Sequence, residues 1–238
     1  MADQFKDKVV LVAGGTGGLG RAVALKFLGE AATVHVTYRS EEEFAALKDA
    51  AGKSADSLRG HRVDVTKTAD AAQLVSAIAA KDGRLDVLVN AVGSYAGGSP
   101  LWETDADVFD RMMSLNVRSG FVLASAVVPT MLKQGGAIVN VSSRAAVDHA
   151  AGASAYAASK AAAVAMMDSL AADLSGKGIR VNTVLPSIID TDANRKAMPG
   201  ADFAKWPKPE DIARVILFLC SDEARLIHGA SVPVYGAG

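Results

Sequence analysis

The sequence predicts an α/β fold: a doubly wound, seven-stranded parallel sheet with helices on both faces. Three observations predict it. Short β-branched apolar runs alternate with longer Ala-rich stretches of helical period along the chain. Most of the strand-like runs are apolar at successive positions, as in strands covered on both sides. No linker, repeat, low-complexity tract or shift in composition breaks the alternation, so residues 1–238 read as one domain.

The expected strands are Val9–Ala13, Thr33–Tyr38, Gly60–Val65, Leu85–Asn90, Ala137–Val141, Arg180–Leu185 and Ser231–Tyr235. Helical stretches lie between them, over Gly18–Glu30, Glu41–Ala51, Thr68–Lys81, Thr104–Lys133, Ser154–Ser175 and Pro209–Ser221. Pro209 followed by Glu210 and Asp211 is a good helix start, with proline in the first turn and acids at the positive end of the dipole. Ser154 is the expected N-cap of its helix.

Composition removes several function classes. Lys plus Arg is 25 and Asp plus Glu is 26, a net charge of −1, so there is no broad basic field for nucleic acid or anionic lipid. Hydrophobic residues at 50% and charged residues at 21% exclude a disordered chain. Cys220 is the single cysteine, so no internal disulfide forms. No run of 18 apolar residues suggests a membrane span, and the polar, mixed-charge start from Met1 to Lys8 resembles no signal peptide. A cytoplasmic protein is expected. His35, His61, His149 and His228 lack ligand-like spacing, so no metal site is expected. Cys220, Met112, Met113, Met166 and Met167 read as packing residues.

The run Gly14-Gly15-Thr16-Gly17-Gly18-Leu19-Gly20 stands between the first strand and the first helix. Glycines there let the backbone approach a pyrophosphate, and the helix N-terminus presents free N–H groups to it. This is the context of a Rossmann-like dinucleotide site. Two registers overlap, G-x-G-x-x-G on Gly15, Gly17 and Gly20, and G-x-x-x-G-x-G on Gly14, Gly18 and Gly20. About 20 residues on, an acid would bond a ribose 2′-OH and an arginine would receive a 2′-phosphate. Arg39 and Ser40 stand there and no acid does, so NADP(H) is expected over NAD(H). Asp64, with Val65 beside it, is a candidate for the adenine amino group or a cap on the following loop.

Tyr156 and Lys160 are four apart at the start of an Ala-rich helix, hence on one face a turn apart. Tyrosine has a pKa near 10, and making it a base near neutrality takes roughly 4 kcal/mol. An ammonium about 4 Å away at an effective dielectric of ~20 supplies about that much. A strand ending in Ser142-Ser143 precedes this helix, with Ser143 13 residues before Tyr156. Ligands in such sheets lie beyond the carboxyl ends of the strands, so Ser143 can donate to a carbonyl oxygen while Tyr156 transfers the proton.

From Lys8 to its end the chain resembles the short-chain dehydrogenase/reductase family, in its single-domain subtype. The resemblance rests on Gly14-x-x-x-Gly18-x-Gly20, Asp64, Asn90-x-x-Gly93, Asn116, Ser143, Tyr156-x-x-x-Lys160, and Pro186 with Thr191. It selects the second glycine register. It implies Tyr156 as general acid in reduction and base in oxidation, with Lys160 lowering its pKa and holding the nicotinamide ribose. Ser143 would polarise the carbonyl, and Asn116 would hold a water linking Lys160 to solvent. Otherwise Asn116 would bond the backbone and kink its helix. Pro186, the Ile188 backbone and Thr191 would line the nicotinamide, and Asn90 and Gly93 would sit by the cofactor. Three departures touch cofactor geometry: Ala13 where the family usually has Thr, Ala91-Val92 for Asn-Ala, and Ser187 for Gly.

The substrate pocket is expected near Ser94, Tyr95, Arg144, His149, Ser187 and Trp206, by loop position. The alternatives are a surface role for Arg144 and a loop role for His149. The polar segment from Thr191 to Pro207 hints at an open site. The helix Ser154–Ser175 is Ala-rich nearly all round, where a solvated helix would be polar on one face. Two-fold contact through it and the Thr104–Lys133 helix is expected, giving a homodimer, or a homotetramer with a second contact at the C-terminal strand. The expected activity is an NADP(H)-dependent interconversion of a small-molecule carbonyl and an alcohol. The alternatives are a 3-oxoacyl thioester reductase of the same family and a catalytically silent nucleotide-binding protein.

Overall fold

The computed structural model describes residues 3–236. The strands are β1 (Val9–Ala13), β2 (Thr33–Tyr38), β3 (Leu58–Arg62), β4 (Val87–Asn90), β5 (Gly136–Val141), β6 (Ile179–Pro186) and β7 (Ser231–Val234). They form one sheet in the order β3-β2-β1-β4-β5-β6-β7, and every neighbouring pair is parallel. The helices are α1 (Gly18–Leu28), α2 (Glu41–Ala51), α3 (Thr68–Asp82), α4 (Ala106–Met113), α5 (Ser119–Met131), α6 (Ser154–Asp173), α7 (Asp192–Ala197) and α8 (Pro209–Cys220).

Side-chain alternation along each strand builds two cores. Val10, Val12, Val34, Val87 and Val139 pack with Val23 and Phe27 of α1, Leu47 of α2 and Ile212 and Ile216 of α8. Leu11, Leu88 and Ile138 pack on the other face with Leu74 and Ile78 of α3, Leu123 and Val127 of α5 and Met167 and Ala171 of α6. The chain leaves β1 toward β3 on one side and returns at β4 on the other. The strand order therefore reverses between β1 and β4, and a crevice opens beyond their carboxyl ends.

Most boundaries fall within one or two residues of those expected, but the third strand does not. β3 begins at Leu58, which is buried and pairs with Val34, and it ends at Arg62. Asp64 then turns the chain, its Oδ1 accepting from the N–H and the hydroxyl of Thr66 at 3.0 and 2.6 Å. Asp64 and Val65 thus lie in the loop beyond the strand. Ser154 is the first residue of α6 rather than its cap; Ala153 holds the cap position, without a side-chain bond.

The stretch expected over Thr104–Lys133 is a continuous 26-residue helix, Ala106–Met131. It starts where Asp105 Oδ1 accepts from the Asp107 N–H at 2.9 Å. It is long and apolar enough to cross a membrane, yet Val122, Leu123, Val127 and Met131 are buried in this fold. Its middle, Ser114–Arg118, widens into a π turn that carries Asn116.

Histidines fasten the β2–β3 edge to α3. His35 Nε2 lies 2.9 Å from Asp82 Oδ2, and His35 Nδ1 lies 2.8 Å from His61 Nε2. Burial pushes the His35 pKa down to about 4, so a neutral imidazole makes both bonds at neutral pH. Among the described residues no group of three or more His, Cys, Asp or Glu side chains is placed to hold a metal.

Candidate active site

The glycine turn sits at the crevice. Gly14 has φ +73, and a Cβ there would also crowd Ala91 at 3.3 Å. A Cβ on Gly20 would lie 2.1 Å from the Gly14 carbonyl oxygen, and one on Gly18 would lie 2.6 Å from Thr191 Cγ2. Gly17 would meet only an ordinary contact at 3.5 Å. A Cβ on Gly15 would also lie 2.5 Å from Val36 Cγ1, so Gly17 is the position that packing leaves free, and the register demanded throughout is Gly14, Gly18 and Gly20. The hydroxyl absent at Ala13 is supplied from the next strand: the Gly14 N–H donates to Thr37 Oγ1 at 2.9 Å. Leu19 is buried, which leaves only its backbone for the turn.

α1 begins at Gly17 with no side-chain cap and no acid in its first turn. Its leading N–H groups and positive dipole end stay open to an anion. A glycine cradle without side chains, joined to an uncapped helix start, fits the pyrophosphate of a nicotinamide nucleotide.

At the end of β2, Arg39 is exposed. The Ser40 hydroxyl caps α2 by accepting from the Glu43 N–H at 3.3 Å. Thr16 of the glycine turn donates its hydroxyl to Glu43 Oε2 at 2.9 Å. Sequence spacing missed this carboxylate, because it reaches the crevice from inside α2 rather than from the strand end. Asp64 is held below its ordinary pKa chiefly by the Thr66 hydroxyl. Its other oxygen, Oδ2, lies 3.8 Å from Lys67 Nζ. Val65 beside it is buried.

The proton-transfer candidates converge at the ends of β4 and β5 and the start of α6. Ser142 donates its hydroxyl to the Lys160 carbonyl at 2.9 Å, locking β5 to the catalytic turn of α6. Ser143 follows, its Oγ accepting from the Ala145 N–H at 3.2 Å. Lys160 is 5% exposed and donates from Nζ to the Val141 carbonyl at 3.2 Å. Its Nζ lies 5.9 Å from the Tyr156 ring centre. Tyr95 meets Tyr156 edge to face, with ring centres 5.0 Å apart. A Cβ on Gly93 would lie 2.9 Å from Asn116 Oδ1 and 3.1 Å from Lys160 Nζ, so a side chain there would displace the ends of both. Asn90 is buried, donating to Asn140 Oδ1 at 2.9 Å and accepting from the Val92 N–H at 3.2 Å.

Two expectations change. Asn116 Oδ1 accepts from the Ser94 N–H at 2.8 Å, while its Nδ2 donates to the Ser94 carbonyl at 3.0 Å and to Ser159 Oγ at 2.9 Å. Acceptor and donors are all engaged, so the side chain is a clamp on the β4 loop and α6. This is the backbone-bonding role expected as its alternative. The π turn is the distortion that this backbone-bonding role costs the helix. The second change concerns the phenol. Burial raises the Tyr156 pKa above its ordinary value, and the Ser143 hydroxyl offsets this only in part. Burial also lowers Lys160, to about 8. Desolvation is the leading influence on the phenol, and the lowering expected from the ammonium does not appear in the direction of its shift.

Of the pocket candidates, Tyr95 meets Tyr156 and Ser94 is held by Asn116, while Ser187, Arg144 and His149 are engaged elsewhere. Ser187 turns its hydroxyl away to the Tyr235 carbonyl at 2.8 Å. Arg144 bonds Asp148 at 2.8 Å and stacks over the Tyr235 ring at 5.1 Å. His149 Nδ1 contacts the Ala145 carbonyl at 3.1 Å, within its own loop. Trp206 packs on Phe203 beyond α7. Pro186 ends β6, Ile188 is exposed after it, and Thr191 caps α7 through the Asn194 N–H while covering Gly18. The sequence alone assigns no site role to Ser142, Ser159 or Tyr235. The serine doublet and the serine one turn after Tyr156 were signals; Tyr235 carried none.

A parallel sheet with a glycine cradle at its switch point, and a tyrosine one turn from a buried lysine beyond it, places the chain among nicotinamide-nucleotide oxidoreductases. The comparisons narrow this. Residues 13–236 match the family model described as enoyl-(acyl carrier protein) reductase. The chain is 34% identical to the 3-oxoacyl-(acyl-carrier-protein) reductase FabG of Thermotoga maritima, covering 98% of both chains. It is 32% identical to meso-2,3-butanediol dehydrogenase of Serratia marcescens, covering 98% of this chain and 95% of that one. Among solved structures, ElxO with NADP bound superposes with a TM-score of 0.91 at 28% identity, over 96% and 97% of the two chains. The chain belongs to the short-chain dehydrogenase/reductase family, whose members are oxidoreductases acting on the alcohol–carbonyl pair.

Proposed function

We propose that this chain is an NADP(H)-dependent carbonyl reductase or alcohol dehydrogenase in which Tyr156 is the general acid and base. The observation that carries the reading is the half-buried Tyr156 beside Ser143 and one turn from the buried Lys160, at the strand ends that flank the glycine cradle. Ser143 orients and polarises the substrate carbonyl. Tyr156 donates its proton to that oxygen in reduction, and its raised pKa keeps the proton in place at neutral pH. Lys160, fixed by Val141, presents its remaining donors to the nicotinamide ribose. Asn116 holds Ser94 and α6 in register. Bound nicotinamide supplies or accepts the hydride. Gly14, Thr16, Gly17, Gly18, the Leu19 backbone and Gly20 would cradle the phosphates, and Asp64, Val65, Asn90, Gly93, Pro186, Ile188 and Thr191 would line the rest of the nucleotide. Arg39 would receive the 2′-phosphate.

A 3-oxoacyl thioester substrate is the second reading, favoured by the 34% identity to FabG. A panel of simple ketones, diketones and 3-oxoacyl thioesters, followed at 340 nm with NADPH and with NADH, separates the two. Failure of every carbonyl to oxidise either nucleotide would leave only a silent nucleotide-binding protein.

The same reading makes the chain one catalytic unit, working in the cytoplasm as a homodimer or homotetramer. The thiol of Cys220, buried and pushed up to about 12, suits a compartment without disulfide chemistry. Leu101 just before α4 and Phe109 on it are exposed beside Ala155 and Ala158 of α6, and Phe121 is exposed on α5. Light scattering at micromolar concentration is expected to give twice or four times the chain mass; a monomer would remove the assembly.

A further inference from the structure

We infer that Glu43 limits how far this chain prefers NADP(H), by setting a negative charge against the pocket in which Arg39 would hold a 2′-phosphate. The inference rests on the cofactor reading above and adds a second determinant to it.

The glycine turn and the end of β2 carry no acid of their own. The fold brings one in. Ser40, as N-cap of α2, fixes the first helical turn, and Glu43 stands at its third position. A serine followed three residues later by glutamate usually closes a reciprocal pair, with the carboxylate turned back to the cap N–H. Here only the first half of that pair is formed, from the Glu43 N–H to Ser40 Oγ at 3.3 Å. The carboxylate swings outward instead, and its Oε2 accepts the Thr16 hydroxyl at 2.9 Å. Thr16 belongs to the turn expected to cradle the pyrophosphate, so Glu43 borders the place where the adenosine ribose would leave it.

The neighbouring acid is directed elsewhere: Glu41 accepts the Tyr38 hydroxyl at 2.9 and 3.1 Å. Among the described residues neither Glu43 nor Arg39 is in an ion pair. Both charges therefore act on whatever enters. A free ribose 2′-OH can donate to the Glu43 carboxylate, the contact by which an acid favours NAD(H). A 2′-phosphate would bring about two negative charges to the same carboxylate and must draw its stabilisation from Arg39. Arg39 and Glu43 pull the preference in opposite directions, and Thr16 holds the carboxylate in place.

Glu43→Gln tests this cleanly, because the amide oxygen can still accept from Thr16 while the charge is gone. NADPH and NADH are titrated into wild type, Glu43→Gln and Arg39→Ala, reading Kd from nicotinamide fluorescence. Glu43→Gln is expected to tighten NADPH about fivefold or more and to leave NADH unchanged or weaker, shifting the ratio of the two constants about tenfold. A ratio within twofold of wild type, or an equal change for both nucleotides, overturns the role of Glu43. Arg39→Ala should move the ratio the other way. If it does not, while Glu43→Gln does, the 2′-phosphate role of Arg39 fails and that of Glu43 stands.

Discussion

Tyr156→Phe is expected to lower kcat for carbonyl reduction by about a thousandfold or more, while NADPH affinity stays within about threefold of wild type. The ring packs edge to face on Tyr95, and removing one oxygen leaves that packing in place. What is lost is the phenolic proton donor beside Ser143. General acid catalysis by a positioned side chain contributes about 10²–10⁴, and the upper part of that range applies where burial keeps water from substituting. Affinity for the nucleotide rests on the glycine turn and on Lys160, neither of which the variant touches. Equilibrium titration of NADPH beside steady-state rates separates the two effects. Retained turnover in this variant would move the acid to another group.

The second large effect is expected at Gly20. A Cβ there would sit 2.1 Å from the Gly14 carbonyl oxygen and 2.8 Å from its carbonyl carbon, and both are backbone atoms that no side-chain rotation relieves. Gly20→Ala must push the turn and α1 apart. Overpacking of this kind costs about 1–3 kcal/mol, which is roughly a five- to 150-fold loss if it falls on nucleotide binding. Thermal melts with and without NADPH locate the cost. The expected result is a modest loss of melting temperature without ligand and a much smaller upward shift on adding NADPH. Gly17→Ala, which meets only an ordinary contact, is expected to melt like wild type without ligand.

What the sequence could show follows from the range over which each feature is encoded. Strands β1 and β5 are local and largely apolar on both faces, and β2 alternates Val34 and Val36 with Thr33, His35 and Thr37, so their patterns reveal them. β3 is short, polar at Arg59, His61 and Arg62, and held by a histidine pair that only the folded sheet assembles; its expected position slipped by two to three residues. Tyr156, Lys160 and Ser143 were legible because helical spacing and a strand-end hydroxyl are near-range signals. The clamp of Asn116 on Ser94 and Ser159 spans 22 and 43 residues, and its π turn has no local signature. Glu43 escaped for a related reason. Its place in the series Glu41-Glu42-Glu43 reads as an ordinary acidic helix start, and only the approach of Thr16 across 27 residues gives it another task. The direction of the Tyr156 shift also needed the structure, because a Coulomb estimate from spacing omits the burial that outweighs it.

The pH dependence of kcat/KM for carbonyl reduction tests the proton-transfer assignment most directly, since it reports the groups of the free enzyme that must be protonated. With Tyr156 as the acid, raised above its ordinary value, and Lys160 titrating at about 8, the protonated forms of both dominate below that pH. The expected profile is flat from about pH 6 to near 8 and falls above it as the ammonium loses its charge. A rate that climbs steadily with pH across the same window would mean that reduction requires a deprotonated group, and Tyr156 could not then be its acid.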